Sequence, residues 1–338
     1  MPQPSDKKVI VVVGGTGRIG RSVALSLHDD PNFHVKVTTR DVTSDKAKRI
    51  ESAAIELVKA DSWSSSELND AFKGAWGVFL NTNSEDLDFV EGSKLKESEM
   101  GILVIDAARR QSVDFFIFAG LPEAAKLTND AVHISSFIQK NEISRYGQAA
   151  GFKSYVNVNA GWQVENFWNP VYEKPFGGFA RVKDAEGYLT IKLFPMGDPP
   201  KPTPFTSIRD DYGDIVHGVF TEPERWNTQT VWAVSHPVTL QGVAQAYNRV
   251  TGTDVARWVL PKDEAQAATP EKAKEVGGVK RYVELVNGNY CDGKPIDQTA
   301  AEELKKKGVM ARNRSGCSTE LQTIEGFIRA YSFNNEAM

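Results

Sequence analysis

The chain has 338 residues, of which 41% are hydrophobic and 25% are charged. This length and composition suffice for one large α/β domain with an added lobe, or for two joined domains, and they exclude a disordered or fibrous protein. The formal net charge of -4 gives no basic excess of the kind that nucleic acid binding requires, so we expect no direct nucleic acid contact. No apolar segment is long enough for a signal peptide or a membrane span, which predicts a cytoplasmic protein, with the nucleus as a second location and no membrane partner.

In the first half of the chain, apolar runs alternate with helical patterns, which is typical of βαβ units wound around a parallel sheet. The apolar runs predict strands at residues 9–13, 34–39, 55–59, 76–80, 115–119 and 154–158. Helices are predicted between them, from the glycine turn to about residue 27 and at residues 61–71, 94–110 and 137–146. The sequence therefore predicts an α/β fold with a doubly wound parallel sheet, a Rossmann domain, over residues 1–160.

The pattern changes after residue 160. Residues 179–194 predict a hairpin around residues 184–187, and residues 195–204 a proline-rich connection. Further helices are predicted at residues 211–220, 240–251, 270–285 and 319–331, with a short strand at residues 230–234. We expect residues 161–338 to form a smaller, mostly helical C-terminal domain that binds a substrate or a partner, with some later segments returning to the first sheet.

A glycine-rich turn follows the first predicted strand directly and opens the first helix, which is the context of a dinucleotide-binding fingerprint. Gly14 permits the tight turn, Gly17 lets the backbone approach a pyrophosphate, and Gly20 lets the helix pack closely on the sheet. The free N–H groups at the start of that helix then face the anion. We expect contacts with NAD(P) from the whole turn: Gly14, Thr16, Gly17, Arg18, Ile19 and Gly20.

The end of the second strand decides between the two cofactors, because an acidic residue there bonds the ribose 2′-hydroxyl and a basic one accommodates a 2′-phosphate. Arg40 lies 20 residues after Gly20, and its guanidinium suits a phosphate or the adenine face, which favours NADP(H). The neighbouring Asp41 would select NAD(H) if it turned inward. Asp61 and Ser62, after the third strand, are expected to reach the adenine edge, to cap the next helix, or to do both.

Reductases of this architecture commonly place a tyrosine four residues before a lysine on one helix, with a serine from the fifth strand. Lys140 stands at the lysine position, but Ser136 replaces the tyrosine and the fifth strand ends in Ala119-Gly120. Lys140 is therefore the candidate catalytic residue, binding the nicotinamide ribose and relaying a proton through water.

A cleft around Lys140 is expected to gather further polar groups for the cofactor, from Asn81 and Asn159. The aromatic side chains that follow would either line this cleft or pack in the core: Trp162, Phe167 and Trp168.

The other reactive residue types form no metal or disulfide pattern. Two cysteines cannot supply a disulfide framework, and the five histidines show no ligand spacing, so we predict no metal site. The acidic residues at 210, 211 and 214 are expected to cap a helix. The charged run at residues 305–307 is expected to be a solvated helix face.

Taken in order, these motifs resemble the NmrA-like family, a branch of the atypical short-chain dehydrogenases. The resemblance is carried by residues 14–20, 39–40, 60–61, 79–82, 140–146, 159–167 and 211–215, and it fades after about residue 260. The lysine helix and the Glu165-Asn166-Phe167 segment are its more selective parts, because many families share the glycine turn.

The resemblance implies an NAD(P)-binding Rossmann domain and two kinds of activity among relatives. Some reduce small molecules with a lysine equivalent to Lys140, whereas others bind the dinucleotide without turnover and dock on proteins such as transcription regulators. We expect an NADPH-linked reductase of a small organic molecule and keep a non-catalytic redox sensor with a regulatory protein partner as the alternative. In a sensor, residues 121–135 would be the responding segment, although an ordinary surface loop is the competing interpretation.

Overall fold

The computed structural model describes residues 7–86, 89, 95–169, 178–179, 182–261 and 270–331. The strands are β1 Lys8–Val13, β2 Phe33–Thr39, β3 Glu56–Lys59, β4 Gly77–Leu80, β5 Phe115–Phe118, β6 Ser154–Ala160, β7 Trp162–Gln163, β8 Leu189–Ile191, β9 Thr203–Thr206, β10 Thr230–Ala233, β11 His236–Val238 and β12 Ala256–Trp258. The helices are α1 Arg18–His28, α2 Asp45–Glu51, α3 Ser65–Phe72, α4 Glu97–Arg110, α5 Ala124–Leu127, α6 Ser135–Ala149, α7 Gly213–Thr221, α8 Leu240–Thr251, α9 Pro270–Leu285, α10 Thr299–Ala311 and α11 Ile324–Tyr331. Short helical turns lie at Val164–Trp168, Ile208–Tyr212 and Pro223–Trp226.

The main sheet has seven parallel strands in the order β10-β6-β5-β4-β1-β2-β3. The predicted doubly wound α/β fold is confirmed, and each predicted strand of the first half is present within two residues of its expected ends. β10 pairs with β6, so a segment of the second half completes this sheet. Strand order reverses between β1 and β4, which places a crevice at their carboxyl ends, where ligands of such sheets bind.

Both faces of the main sheet are buried, as the continuous apolar strands predict. Along β1, Ile10 and Val12 pack on one side with α1, α7 and α10, while Val11 and Val13 pack on the other with α3, α4 and α6. Successive side chains of a strand point to opposite faces, so one short run supplies both layers of the core.

A second core lies in the C-terminal region, around the small sheets β11-β9-β7 and β12-β8. Trp168 stacks between Phe179 at 5.5 Å and Phe327 at 5.6 Å, measured between ring centroids. Phe167 is 1% exposed and packs against Phe205. For Phe167 and Trp168 the core-packing interpretation is therefore correct.

The second half differs from the expectations in its sheet pairing and in two element bounds. The hairpin contacts are present, because a turn lies at residues 184–187, the Lys192 N–H donates to the Gly178 carbonyl oxygen, and an antiparallel bridge joins Phe179 to Ile191. Its second arm, β8, also pairs in parallel with β12. The proline-rich connection ends in β9, and the last predicted helix begins at Ile324 rather than at residue 319. The turn residues indicated the hairpin, whereas no local pattern indicated that β8 pairs with a distant strand.

The charged run at residues 305–307 is also not simply solvated. It lies on α10, where Lys305 is 2% exposed and forms an ion pair with the buried Asp211. Lys306 is exposed. Among the described residues, none of the helices combines the length and apolar character needed to span a bilayer.

Candidate functional site

The glycine turn lies at the carboxyl ends of β1 and β4. Gly14 has a φ of +78°, and a Cβ built there would lie 2.3 Å from the carbonyl oxygen of Asn81. A Cβ on Gly20 would lie 2.4 Å from the Gly14 carbonyl oxygen, so both positions require glycine. Helix α1 starts after Gly17 without a side-chain cap, which leaves backbone N–H groups available to an anion.

Arg18 joins this turn to the segment after β7. Its guanidinium donates to Asn166 Oδ1 at 2.9 Å and to Gln163 Oε1 at 3.4 Å. Arg18 is exposed, whereas Thr16 and Ile19 are half-buried. The segment at residues 162–168 is thereby held beside the start of α1, next to the uncapped N–H groups.

Arg40 and Asp41 follow β2 directly. The Arg40 side chain is 57% exposed, and its Nη2 lies 3.0 Å from Asp86 Oδ2. Asp41 Oδ1 accepts hydrogen bonds from the backbone N–H and the hydroxyl of Thr43, at 2.8 and 2.6 Å. These bonds from Thr43 hold the pKa of the Asp41 carboxyl below its ordinary value. The Asp41 carboxylate is thus engaged by its own turn.

At the end of β3, Asp61 and Ser62 are both half-buried. The Asp61 carboxylate accepts the backbone N–H of Trp63 at 3.0 Å, while Ser64, not Asp61 or Ser62, caps α3 by accepting the N–H of Glu67. The capping alternative is therefore wrong for both residues, and α3 begins later than predicted.

Lys140 lies on α6 and reaches the end of β4. Its Nζ donates to the Thr82 carbonyl oxygen at 3.0 Å and to Thr82 Oγ1 at 2.6 Å, and it forms an ion pair with Glu97 Oε1 at 3.1 Å. Lys140 is 6% exposed and Glu97 is 1% exposed. The ammonium also lies 5.4 Å from the centroid of the Phe118 ring. Glu97 gave no sequence signal, since nothing in its local pattern marks it as the partner of Lys140.

The ends of β5 and β6 form the adjoining part of the crevice. Asn159 is 3% exposed, and its Oδ1 is buried without a hydrogen-bond partner. A Cβ on Gly120 would lie 2.7 Å from that oxygen, which explains why no serine stands there. Ser144, one turn after Lys140, donates to Asn157 Oδ1 at 3.0 Å.

Glu165 is a buried acid that the sequence analysis names only as part of the family resemblance, without a role in the site. Its Oε1 accepts the backbone N–H of Arg209 at 2.9 Å, while its Oε2 is buried without a hydrogen-bond partner. Burial raises the pKa of this carboxyl to about 7. Glu165 lies in sequence between Gln163 and Asn166, the two residues that accept hydrogen bonds from Arg18.

The acidic residues after β9 tie the C-terminal segments to the main sheet rather than cap a helix. Asp210 accepts the Tyr331 hydroxyl at 2.6 Å, and Asp214 accepts the Ser26 hydroxyl at 2.5 Å and Arg312 at 2.7 Å. The capping residue is Ser207. No group of three or more metal-ligating side chains occurs within the described ranges.

The segment at residues 121–135 borders a groove of about 510 Å³ between α5 and α6, with the exposed His133 on its rim. Both cysteines are free thiols, and burial raises the pKa of Cys291 to about 12.

The NmrA-like family profile matches residues 6–309, so the expected fading of the resemblance after residue 260 is wrong. The NmrA-like family domain-containing oxidoreductase cpsB of Aspergillus campestris is 34% identical over 340 residues, covering 98% of this chain and 99% of its own. The oxidoreductase lnaB of Aspergillus flavus, of the same description, is 34% identical over 305 residues, covering 89% of this chain and 91% of its own.

Solved structures share the fold at lower identity. NmrA, a negative transcriptional regulator, in complex with NADP is 20% identical with a TM-score of 0.72, and the match covers 96% of this chain and 95% of NmrA. NmrA in complex with NAD gives the same TM-score of 0.72 at 19% identity, with 96% and 95% coverage. The Escherichia coli NADPH-dependent quinone oxidoreductase QOR2 with NADPH is 17% identical with a TM-score of 0.68, covering 96% of this chain and 100% of QOR2.

Proposed function

The chain belongs to the NmrA-like family, and from this premise we propose that it is an oxidoreductase that uses NADPH to reduce a small organic molecule. The bound cofactor would supply the hydride. Two long relatives, each 34% identical, are named oxidoreductases, which favours an enzyme over a purely regulatory protein.

One observation carries the dinucleotide site: the uncapped start of α1 follows a turn in which Gly14, Gly15 and Gly20 leave no room for side chains. That arrangement fits a pyrophosphate, because backbone N–H groups and the positive end of the helix dipole both face the space the anion would occupy. We propose contacts from Gly14, Thr16, Gly17, Arg18, Ile19 and Gly20 to the pyrophosphate, and from Asp61 and Ser62 to the adenine edge.

The preference for NADP(H) is proposed from the end of β2. Asp41 is held by Thr43 and does not compete with Arg40 for the ribose, while the Arg40 guanidinium is exposed and available to a 2′-phosphate that displaces Asp86. NAD(H) remains the alternative cofactor. Complexes of NmrA with NAD and with NADP, and of QOR2 with NADPH, support a nicotinamide dinucleotide in this fold.

For the nicotinamide end we propose Asn81, Lys140 and Asn159. Lys140 fixes Thr82 at the end of β4 and carries a charge in a buried setting, so it would hold the ribose hydroxyls and orient the cofactor above β5. The unpartnered Asn159 Oδ1 would accept a hydrogen bond from the bound ligand. Residues 161–338 would complete the substrate pocket, with Trp162 at its edge.

A redox sensor is the second candidate, favoured by the absence of the tyrosine four residues before Lys140 and by the fold shared with a negative transcriptional regulator. In that case the groove beside residues 121–135 would bind a regulatory protein. The two candidates differ in turnover, not in cofactor binding.

The test is calorimetric titration with NADPH, NADP, NADH and NAD, followed by NADPH consumption with a panel of enones and quinones. We expect NADPH to bind most tightly and at least one compound to be reduced. Binding without turnover would favour the sensor, and absence of any dinucleotide binding would overturn both candidates.

A further inference from the structure

Ser136 occupies the position four residues before Lys140, where reductases of this architecture carry their proton donor. Residues four apart share one helix face, so the Ser136 hydroxyl lies on the same side of α6 as Lys140. It is half-buried and donates a hydrogen bond to Glu275 Oε1 at 2.6 Å. A hydroxyl is thus present at the expected position, but its partner comes from α9, more than a hundred residues later in the chain.

The hydrogen-bonded chain continues from Glu275 toward solvent. Glu275 Oε2 lies 3.2 Å from Lys272 Nζ, one turn earlier on α9, and Lys272 also forms an ion pair with Glu85. Side-chain exposure is 27% for Glu275, 16% for Lys272 and 44% for Glu85, so the outer end of the chain is in contact with solvent. Glu85 lies three residues after Thr82, the partner of Lys140, so Lys140 and Lys272 both contact the segment that follows β4.

Close packing of α9 on α6 keeps Glu275 in place. A Cβ on Gly278 would lie 2.9 Å from Ile134 Cγ1, and the Tyr282 ring packs edge-on against Phe137 at 6.2 Å. Gly278 and Tyr282 follow Glu275 on the same helix, so these contacts fix the position of α9 along α6 and place Glu275 beside Ser136.

We propose that Ser136 donates the proton to the substrate oxygen, and that Glu275 and Lys272 are positioning residues that return a proton to it from solvent. The proposal rests on the proposed reductase function and names the donor that this function lacks in the sequence. The substrates of the proposed reaction are carbonyl compounds, namely enones and quinones. Addition of a hydride to such a compound leaves negative charge on its oxygen, which then accepts a proton.

The step balances as follows for a carbonyl substrate. A bound NADPH would supply the hydride and become NADP, which would leave a negative charge on the substrate oxygen, and that oxygen takes the proton of the Ser136 hydroxyl. Ser136 recovers a proton through the Glu275 carboxylate from the Lys272 ammonium, which is reprotonated by water. The net change is consumption of substrate, NADPH and one proton.

The charged groups around Lys272 make this relay measurable. Glu85 faces it from the loop after β4 and Glu275 from its own helix, while the Lys140–Glu97 pair lies one turn of α6 beyond Ser136. Burial disfavours the Lys272 ammonium, but its hydrogen bond to Glu85 and the charge of Glu275 hold its pKa above the ordinary value of 10.5.

The first experiment compares Ser136→Ala with the matched control Ser135→Ala, an exposed neighbour on the same helix. General acid catalysis typically contributes a factor of 10² or more, so kcat of Ser136→Ala should fall by about a hundredfold with an unchanged Kd for NADPH. Ser136→Thr should keep most of the rate because it retains the hydroxyl, and Ser135→Ala should match the wild type.

The second experiment is the pH profile of kcat for Glu85→Gln. Loss of the Glu85 charge lowers the pKa of Lys272, so the rate of the variant should decline at a lower pH than that of the wild type. If these side chains only joined the two helices, Glu85→Gln would change the rate without shifting the pH at which the rate declines.

Wild-type turnover decides the proposed function before any variant is compared. If the wild type binds NADPH but reduces no compound, the reductase and the relay are both overturned. If the wild type turns over and Ser136→Ala is as fast as Ser135→Ala, the relay alone is overturned. The same follows if the decline of kcat at high pH occurs at the same pH in Glu85→Gln and in the wild type.

Discussion

Arg40 and Asp41 stand side by side after β2, and the choice between NADP and NAD depends on which of them faces the adenosine ribose. Thr43 holds the Asp41 carboxylate, while the Arg40 guanidinium is exposed and pairs with Asp86, which a phosphate can replace. A hydrogen bond to a charged group contributes about 1.5–3 kcal/mol. Arg40→Ala should therefore raise the Kd for NADPH about tenfold to hundredfold and change the Kd for NADH little, as measured by calorimetry.

Arg49→Ala is the control for this comparison. Arg49 is exposed on the neighbouring α2, and its substitution by alanine removes the same charge as Arg40→Ala. It should leave both dissociation constants within about twofold, since surface charges away from the ligand contribute little. An equal loss of NADPH and NADH affinity in Arg40→Ala would show that Arg40 stacks on adenine rather than binding the 2′-phosphate.

Glu165 makes a second prediction, on stability. Burial raises the pKa of its carboxyl from 4.5 to about 7, so the folded chain binds this proton more tightly than the unfolded chain does. The contribution of Glu165 to the free energy of unfolding is therefore full below pH 4.5 and is lost as the pH rises to 7, a decline of about 3 kcal/mol. Glu165→Gln cannot ionise and should lack this decline.

Urea unfolding at pH 4.5 and at pH 7.5 measures the effect as a difference between wild type and Glu165→Gln. Glu51→Gln, at an exposed position on α2, should follow the wild type at both pH values. Parallel pH dependence of wild type and Glu165→Gln would mean that Glu165 is ionised in the fold and paired more strongly than its contacts indicate.

The turn between β1 and α1 can be tested by comparing two glycines with the same backbone conformation. Gly14 and Gly74 have φ values of +78° and +72°, but a Cβ on Gly14 would meet Asn81, whereas a Cβ on Gly74 would meet nothing within 4 Å. Gly74→Ala should cost about 1–2 kcal/mol from backbone strain alone and leave NADPH binding intact. Gly14→Ala should add about 1–3 kcal/mol of overpacking and weaken NADPH binding.

Thermal unfolding and NADPH titration of the two variants measure these effects. Equal destabilisation together with equal NADPH affinity would contradict the assignment of a special role to the glycine turn, because strain would then explain both substitutions.

The strands of the main sheet could be predicted because each carries its own signal. Residues 9–13 are apolar on both faces, which is what a central parallel strand requires, and the glycine turn follows immediately. The C-terminal sheets could not be predicted this way. β8 is three residues long and pairs with β12, more than sixty residues later, so no local pattern indicates its partner.

The candidate site divides in the same manner. The glycine turn, Arg40 and Lys140 follow from local spacing, and the helix that carries Lys140 is present. Two of the partners that set the chemistry of the site are distant in sequence, namely Glu97 for Lys140 and Glu275 for Ser136. The sequence does not distinguish a charged residue that is buried beside a distant partner from a charged residue exposed to solvent.

Across the whole molecule, the C-terminal segments are held against the main sheet by buried charges rather than by a separate apolar interface alone. Asp211 is fully buried, pairs with Lys305 of α10 and accepts the backbone N–H of Gln322, just before α11. Asp214, at the start of α7, accepts Ser26 of α1. One short segment thus connects α1 to both C-terminal helices, α10 and α11.

The Lys305–Asp211 pair gives the prediction for this scale, because its neighbour Lys306 offers a matched control on the same helix. Removing one partner of a buried ion pair leaves an uncompensated charge and typically costs about 3–5 kcal/mol, so Lys305→Met should lower the free energy of unfolding by that amount in urea. Lys306 is exposed, and Lys306→Met should stay within about 0.5 kcal/mol of the wild type. Because Asp211 is then the unpaired charge, adding Asp211→Asn to Lys305→Met should recover part of the loss. Equal unfolding midpoints for the two methionine variants would mean that α10 is held by its apolar face, with Lys305 contributing no more than a surface lysine.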